Sequence, residues 1–227
     1  MATHDDNPAG DRSLDDYLAA LASDAPTPGG GSVVAVCGAL SASLAAMVCR
    51  LTFGKSASPA GEEELRSAVT ALDSLRRRFL DLAAEDEAAY GRYIAATLLP
   101  KGTDTDRTAR RQALQHALIG AAEVPLQVAT ACAALAPQLS SIARIGSRHV
   151  LSDVSVATWV AEAALRGAAI NVRTNARLMR DDERRGWYQD QASRVETDGV
   201  DELSTARQLA AARAHEQITT NRVQEER

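Results

Sequence analysis

Apolar residues recur every three or four positions along most of the chain, and no segment alternates with a period of two. Leu14, Leu18 and Leu21 follow Ser13, whose hydroxyl suits a helix N-cap, and they predict a short first helix. The same spacing predicts further helices over about residues 32–53, 60–99, 106–145, 154–182 and 183–221. The pattern therefore predicts an all-α fold, a bundle of long antiparallel helices.

Prolines and glycines divide these helices. Pro125 and Pro137 lie in the fourth predicted helix, and each should kink or interrupt it because proline has no backbone amide donor. Residues 24–32 contain two prolines and three consecutive glycines and lead directly into an apolar stretch. Residues 24–32 are therefore predicted to form a specific loop rather than a linker.

The second predicted helix is apolar on nearly all sides, which implies that neighbours contact it all round. Gly38, Ala42 and Ala46 recur every fourth residue and predict a ridge of small residues that lets another helix pack closely. Residues 33–48 are uncharged, but glycine and serine interrupt them and Arg50 follows, so we interpret them as a buried helix and not as a membrane span.

Composition narrows the fold further. The 227 residues include 45 alanines and only 4% aromatic residues, which favours closely packed helices and excludes a β-sandwich or β-barrel. Residues 1–12 are polar and resemble neither a signal nor a transit peptide, so they are predicted to be a disordered tail. Residues 13–222 are predicted to form a single helical domain.

Charge and cysteine usage exclude several kinds of partner. The net charge of -5 provides no broad basic surface for nucleic acid, and no membrane association is expected. Three cysteines in apolar helical contexts, without CxxC spacing, indicate reduced thiols in a cytoplasmic protein. No histidine has companions at ligand spacing, so no metal site is expected.

Two loops that lead into apolar helices are candidates for chemistry. Gly29, Gly30 and Gly31 present backbone amides at a positive helix end, which suits a carboxylate or a heteroaromatic carbonyl. The alternative is a structural role, in which the glycines let the loop pass under a neighbouring helix. In the second loop, Ser152 is predicted to cap the fifth helix and Asp153 to occupy its first turn. Asp153 is either an electrostatic partner of the helix end or, if it faces a cavity, a proton carrier.

The fifth predicted helix carries an unusual pair of amides. Asn171 and Asn175 lie one turn apart on an otherwise apolar helix, with Arg173 offset from them. Buried amides need hydrogen-bond partners, so these asparagines either bind a neighbouring helix or line a polar pocket.

Several segments, in this order, resemble the formiminotransferase-cyclodeaminase C-terminal domain family, also called the cyclodeaminase/cyclohydrolase family. The resemblance covers about residues 14–182, and the Pro-Gly-Gly-Gly-Ser loop, the Ser-Asp pair and the Asn-Val-Arg triplet are its most specific parts. The matching segments are Leu21–Val33, Gly38–Val48, Leu51–Lys55, Glu85–Tyr90, Leu99–Lys101, Ala122–Pro125, Leu151–Asp153 and Gly167–Arg173.

The resemblance implies an all-α homodimer acting on a small folate-like substrate, with no metal and no bound cofactor. One group of the family cyclises 5-formimidoyltetrahydrofolate with loss of ammonia, and another hydrolyses 5,10-methenyltetrahydrofolate to 10-formyltetrahydrofolate. Both reactions pass through a tetrahedral carbon between two folate nitrogens, so the protein must position the substrate and move protons. The residues do not separate the two activities.

The resemblance also implies roles for individual residues. Asp153 would be the general acid/base, and it would share one cavity with the glycine triplet. The backbone donors that would hold the pterin come from Gly29, Gly30, Gly31 and Ser32, and the amides that would bind its edge come from Asn171 and Asn175. The glutamate tail would meet Lys55 or Arg173. The pocket would also include Tyr90, His149 and Ser152. Asp86 lies on the same helical face as Tyr90 and would help to complete the pocket.

The sequence departs from the family pattern at two notable positions. His149 stands where asparagine is common, and Trp159 stands where the family usually has a small residue. These differences leave open a cyclase or hydrolase of the same fold that acts on a non-folate small molecule. A non-catalytic helical dimer that serves as a binding module is the third alternative.

Overall fold

The computed structural model describes residues 12–55 and 58–225, and side chains as far as residue 215. Over these ranges the chain forms seven α-helices and a short 3-10 turn, with no strand, so the all-helical prediction is confirmed. The predicted disordered tail, residues 1–12, lies almost entirely outside the described residues. The helices are α1 Leu14–Leu21, α2 Gly30–Thr52, α3 Pro59–Thr97, α4 Asp104–Ala133, α5 Leu135–Ile145, α6 Leu151–Ala176 and α7 Asp182–Glu225, and the 3-10 turn is Arg148–Val150.

Three helices begin at side-chain caps. The hydroxyl groups of Ser13 and Ser58 each accept the amide of the third residue of the following helix, at 3.1 and 3.2 Å. Thr103 and Asp106 form a reciprocal capping box at the start of α4. Each cap satisfies a backbone donor that has no partner within the helix, and so defines where α1, α3 and α4 begin.

The predicted fourth helix is two helices, α4 and α5, separated at Ala134. Pro125 lies inside α4 without ending it. Pro137 lies in the first turn of α5, where a missing amide removes no intrahelical hydrogen bond. The predicted interruption is therefore found near Pro137.

α6 begins at Leu151, three residues before its predicted start. Val150 is its N-cap and makes no side-chain hydrogen bond there, so the prediction that Ser152 caps this helix was wrong. The reason is local: the 3-10 turn runs directly into α6 and leaves Ser152 within the first turn. The charged final stretch forms one long helix, α7.

α2 and α6 pack side by side and run antiparallel. The Ser41 hydroxyl donates to the carbonyl of Ala157 at 2.8 Å. Further along, a Cβ added to Gly167 would overlap Val34. The start of α2 therefore lies beside the end of α6, and the end of α2 lies beside the start of α6.

α2 and residues 104–145 are long and apolar enough to cross a membrane by length and composition alone. The core helix of a globular protein meets the same criterion, and just over half of the most apolar window of α2 is buried within the fold. α3 and α6 cover most of α2, and Gly38 allows the close approach of α3 because a Cβ there would overlap the Phe79 ring. One apolar side of α2 stays uncovered in the single chain, where Leu40 is 60% exposed.

Candidate active site

The glycine loop forms one wall of a cavity of about 370 Å³. Gly29 is the N-cap of α2, and Val33 is the first residue whose amide donates within the helix, to the Gly29 carbonyl at 3.0 Å. The amides of Gly30 and Gly31 precede it at the positive end of the helix dipole. All three glycines line the cavity, so the loop offers hydrogen-bond donors to an acceptor placed there.

Asp86 supplies the carboxyl group of the cavity. It comes from the middle of α3 and packs against the start of α2, where it accepts a hydrogen bond from the Ser32 amide. Burial raises the pKa of Asp86 to about 6; the Ser32 amide acts in the opposite direction, and the neighbouring Glu87 charge adds to the increase. A carboxyl group with this pKa exchanges protons readily near neutral pH.

Gly31 makes this approach of α3 to α2 possible. A Cβ added at Gly31 would overlap the carboxylate of Asp86. Gly31 is also buried, so the neighbouring groups have little room to move away. The third glycine of the triplet, Gly31, therefore has a packing role in addition to offering its amide.

Asn171 and Asn175 project from the end of α6 into the same cavity. The amide group of Asn171 lies beside Gly30, where an added Cβ would meet it at 3.9 Å. Asn175 donates through Nδ2 to the carbonyl of Ala121 on α4 at 2.6 Å. The two alternatives predicted for this pair therefore apply to different residues. Asn175 binds a neighbouring helix, and the amide group of Asn171 faces the glycine loop.

Tyr90 lines the cavity as predicted, and it is 39% exposed. The ring centroid of Tyr93, one turn further along α3, lies 6.4 Å from that of Tyr90. Tyr93 was not predicted as a site residue, although its spacing from Tyr90 places the two side chains on one face of α3. The other apolar and loop residues that line the cavity were not predicted either; they are Pro26, Thr27, Ala89, Leu118, Ala121 and Leu178.

Ser32 does not line the cavity, contrary to its predicted role in substrate binding. Its side chain is fully buried and lies within hydrogen-bond distance of the Tyr17 hydroxyl, at 3.1 Å, and of Glu87, at 3.4 Å. Arg12 in turn donates to Glu87 at 3.3 Å. Ser32 therefore anchors α1 and α3 to the start of α2, and only its amide reaches towards the site, through Asp86.

Four predicted site residues lie at the opposite end of the α2–α6 pair. Asp153 precedes Asn171 by eighteen residues on α6, which corresponds to about 27 Å along the helix. Ser152 and His149 are exposed near the same end, and Lys55 donates to the carbonyl of Leu51 at 3.0 Å. Within one chain the structure does not place Asp153 in the cavity with the glycine triplet, because antiparallel packing separates them by the length of α6.

Arg173 also faces away from the cavity. Its guanidinium donates to Glu196 at 2.5 Å and to Ser193 at 3.3 Å, both on α7. The i to i+2 offset from Asn171 places Arg173 on another face of α6, so it ties α6 to α7 instead of lining the cavity.

No group of three or more His, Cys, Asp or Glu side chains in the described ranges is arranged to hold a metal ion. Cys49 and Cys132 are buried and Cys37 is half-buried, and all three are free thiols. Burial raises the pKa of each of the three thiols, which disfavours the reactive thiolate. The polar groups that line the cavity are the backbone amides of the glycine loop, the side-chain amides of Asn171 and Asn175, and the Asp86 carboxyl group.

Residues 13–194 match the family model described as formiminotransferase-cyclodeaminase. A methenyltetrahydrofolate cyclohydrolase from Methylorubrum extorquens is 39% identical over 173 residues, which are 76% of this chain and 83% of that protein. A formimidoyltransferase-cyclodeaminase from Rattus norvegicus is 34% identical over 172 residues, 76% of this chain but 32% of that protein. A crystal structure of formiminotetrahydrofolate cyclodeaminase from Thermotoga maritima gives a TM-score of 0.81 at 27% identity, and the match covers 89% of this chain and 98% of that one.

The family match contains the whole cavity, from Pro26 to Leu178. The chain spans most of the length of the cyclohydrolase relative and about a third of the length of the rat relative. These matches confirm the resemblance inferred from the sequence: the chain belongs to the formiminotransferase-cyclodeaminase family.

Proposed function

We propose that this chain is a folate one-carbon enzyme that hydrolyses 5,10-methenyltetrahydrofolate to 10-formyltetrahydrofolate. The relative that is 39% identical over most of its length carries the name of this activity. The observation that carries the proposal is Asp86, a partly buried carboxyl group in a cavity that also presents backbone amides and the Asn171 side chain. This combination provides both a proton carrier and hydrogen-bonding groups for a polar heterocycle.

The lining of the cavity suits a pterin. A pterin is flat and has alternating donors and acceptors along one edge. The Asn171 amide both donates and accepts, and the amides of Gly30 and Gly31 donate. Tyr90 and Tyr93 supply aromatic surface against which a flat ring packs.

The methenyl bridge of the substrate is cationic, so an ionised Asp86 stabilises it electrostatically. We propose that the Asp86 carboxylate accepts a proton from water as the water oxygen bonds to the bridging carbon. The resulting carbinol collapses when the bond from that carbon to N5 breaks. Asp86 returns its proton to N5, and the proton of the carbinol hydroxyl leaves for solvent, which produces the 10-formyl group and balances the charge.

Cyclodeamination is the second candidate, favoured by the TM-score of 0.81 with the Thermotoga maritima cyclodeaminase. In that reaction N10 attacks the formimidoyl carbon. The N10 proton passes to the former imino nitrogen. Asp86 in its neutral form would donate a second proton to that nitrogen as its bond to the carbon breaks, so that ammonia leaves and the cationic methenyl bridge forms. Asp86 serves both reactions in this proposal. Hydrolysis requires its carboxylate at the start, and cyclodeamination requires its neutral form.

The test follows both reactions with purified protein. Loss of the near-ultraviolet absorbance of 5,10-methenyltetrahydrofolate, above the spontaneous rate, measures hydrolysis, and release of ammonia from 5-formimidoyltetrahydrofolate measures cyclodeamination. We expect the first activity, and we expect Asp86→Asn to lower it at least about 100-fold while the exposed control Asp81→Asn retains it. Absence of both activities in the intact protein would overturn the proposal.

We further propose that the chain forms a homodimer through the uncovered side of α2 and α6. Exposed large apolar side chains on these two helices are unusual for the surface of a monomer. Because the two helices pack side by side, a second copy of the chain would bury these apolar side chains in one isologous contact. The exposed residues are Leu40, Met47 and Leu51 on α2 and Val156, Trp159 and Ile170 on α6.

An isologous contact whose two-fold axis runs perpendicular to α2 would also reverse the direction of the second copy. The end that carries Asp153 and Lys55 would then approach the glycine end of the first copy. Sedimentation analysis tests the dimer: Leu40→Glu should give monomers, whereas Leu98→Glu, at a 79% exposed position at the end of α3, should not. A wild-type monomer at micromolar concentration would overturn the proposed homodimer.

A further inference from the structure

Glu87 follows Asp86 on α3, but it contacts the segments behind the cavity and does not line the cavity itself. Its Oε2 accepts a hydrogen bond from the Arg12 guanidinium at 3.3 Å, and its Oε1 accepts the Ser32 hydroxyl at 3.4 Å. The side chain of Glu87 is 14% exposed and that of Arg12 is 19% exposed, so solvent screens this ion pair only in part. A negative charge next to the proposed proton carrier is therefore held by a residue that precedes α1.

The hydrogen bonds around Ser32 have a defined direction. A serine hydroxyl has one proton, and Ser32 donates it to Glu87. The Tyr17 hydroxyl, 3.1 Å from the Ser32 oxygen, is then the donor of the second bond. Tyr17 comes from α1 and Ser32 from α2, and both side chains are buried. The Glu87 carboxylate is thereby fixed from two sides, by Arg12 and by the Tyr17–Ser32 pair.

Ser32 also connects this network to the cavity. Its amide donates to the Asp86 carboxylate, while its hydroxyl donates to Glu87. The amide bond favours the ionised form of Asp86, and the charge of Glu87 favours the neutral form. One residue of α2 therefore bonds to both carboxyl groups and holds these opposing influences in place.

Few other charges bear on Asp86 from the described elements that pack around it. No Lys, Arg or His is among the described residues that line the cavity, and α4 and α6 contribute only apolar and amide side chains to it. The other titratable groups of the lining are the phenols of its two tyrosines. Both acidic residues of α1 are exposed. Cys37 of α2, near Tyr17, is half-buried, and burial raises the pKa of its thiol, so it stays neutral.

Glu85, the residue before Asp86, provides an internal comparison. Its side chain is 43% exposed and pairs with Arg78 at 2.6 Å. Arg78 also donates to Gln127 on α4, so this pair faces another side of α3. Glu85 and Glu87 are equally close to Asp86 in sequence, but only Glu87 belongs to the network behind the cavity.

We infer that Glu87 is a positioning residue for the reaction: held by Arg12 and Ser32, it sets the pH range in which Asp86 carries its proton. The inference rests on the proposed function of Asp86. The charge of Glu87 makes Asp86 retain its proton to a higher pH, and the Arg12 guanidinium offsets part of that charge. Removing the charge of Glu87 and removing that of Arg12 should therefore change the proton affinity of Asp86 in opposite directions.

The test measures the titration of Asp86 in the full chain by the ¹³C carboxyl resonances of aspartate-labelled protein, in which Asp86→Asn identifies the signal. The pH dependence of kcat/KM for 5,10-methenyltetrahydrofolate is measured beside it. Glu87→Gln keeps an acceptor oxygen for Ser32 and Arg12, and it should lower both midpoints by about 0.5–1 pH unit. Arg12→Gln should raise both midpoints by about 0.3 pH unit. Glu85→Gln, the matched control, should change neither by more than about 0.2 pH unit.

Shifts of the same sign in Glu87→Gln and Arg12→Gln, or equal shifts in Glu87→Gln and Glu85→Gln, would overturn the inference. If Glu87→Gln does not fold, Arg12→Gln decides, and a midpoint at or below the wild-type value overturns the role of Glu87. The carboxyl titration needs no turnover, so it separates this role from the proposed function. Opposite shifts without turnover overturn the proposed reaction and support the role of Glu87. Turnover with an unshifted Asp86 resonance in both variants overturns that role alone, and absence of both shifts and turnover overturns both.

Discussion

The two ends of the α2–α6 pair contain similar residue types in different surroundings. At the glycine end, α3 crosses close to the start of α2 and brings Asp86 into a cavity with Asn171. At the other end, Lys55, His149 and Ser152 are exposed, and Asp153 is only partly covered. A carboxyl group becomes useful for proton transfer when other elements enclose it with a substrate, and only the glycine end meets this condition within one chain.

Exchanging the carboxyl group for an amide at each end should produce the largest difference in catalytic activity between the two ends. We expect Asp86→Asn to lower kcat/KM for 5,10-methenyltetrahydrofolate at least about 100-fold, the lower range for loss of a general acid/base. Asp153→Asn should change it by less than about 3-fold. If Asp153→Asn is the more damaging substitution, the proton carrier comes from the opposite end, which the second copy would have to supply.

Adding a methyl group at the glycine end should disrupt packing there. Gly31→Ala should lower the free energy of unfolding by about 1–3 kcal/mol, because the new Cβ overlaps the Asp86 carboxylate. Gly91→Ala is the matched control on α3: its Cβ would meet no atom within 4 Å, and alanine favours the helix by up to about 1 kcal/mol. Urea denaturation measures both. Equal stability of the two variants would contradict the close approach of α3 to α2.

The two asparagines should separate binding from stability. Asn171→Ala should raise KM about 10-fold with little change in the urea midpoint, because its amide faces the cavity. Asn175→Ala should lower the free energy of unfolding by about 1 kcal/mol through loss of its hydrogen bond to Ala121. The reverse assignment of effects would show that Asn175 and not Asn171 contacts substrate.

The pH dependence should be the subtlest signature of the glycine end. Because burial raises the pKa of Asp86 from 3.8 to about 6, the fold favours its neutral form. The stability contributed by this preference is fully present below about pH 4 and is lost as the pH rises through about 6. We therefore expect the stability of the wild type relative to Asp86→Asn to fall between pH 4 and pH 7 in urea titrations. The kcat/KM of the wild type should fall as the pH drops below about 6, because Asp86 becomes protonated. The residual kcat/KM of Asp86→Asn should not show this fall. A constant stability difference across this range would contradict a raised pKa.

Most of the fold was predictable from local patterns. Helical periodicity, the proline and glycine breaks and the cap at Ser13 depend on residues within one or two turns of each other. The start of α6 was less predictable, because the 3-10 turn before it extends the helix beyond the first apparent cap. Within the site, the glycine loop, Tyr90 and both asparagines carried visible signals and are found together.

The tail contacts and the acid were harder to identify, for a physical reason. Lys55, Arg173 and Asp153 lie near plausible motifs, but the direction in which helices pack decides which ends meet.

The sequence by itself determined the helices, the glycine loop and membership of the family, because these depend on short-range preferences and on residues that can be compared one by one. Only the tertiary structure decided which carboxyl group shares the cavity. Asp86 and Gly31 are far apart along the chain, and they meet because burying the apolar faces of α2, α3 and α6 sets the relative positions of these helices. That packing depends on all contacts at once, which no single segment encodes.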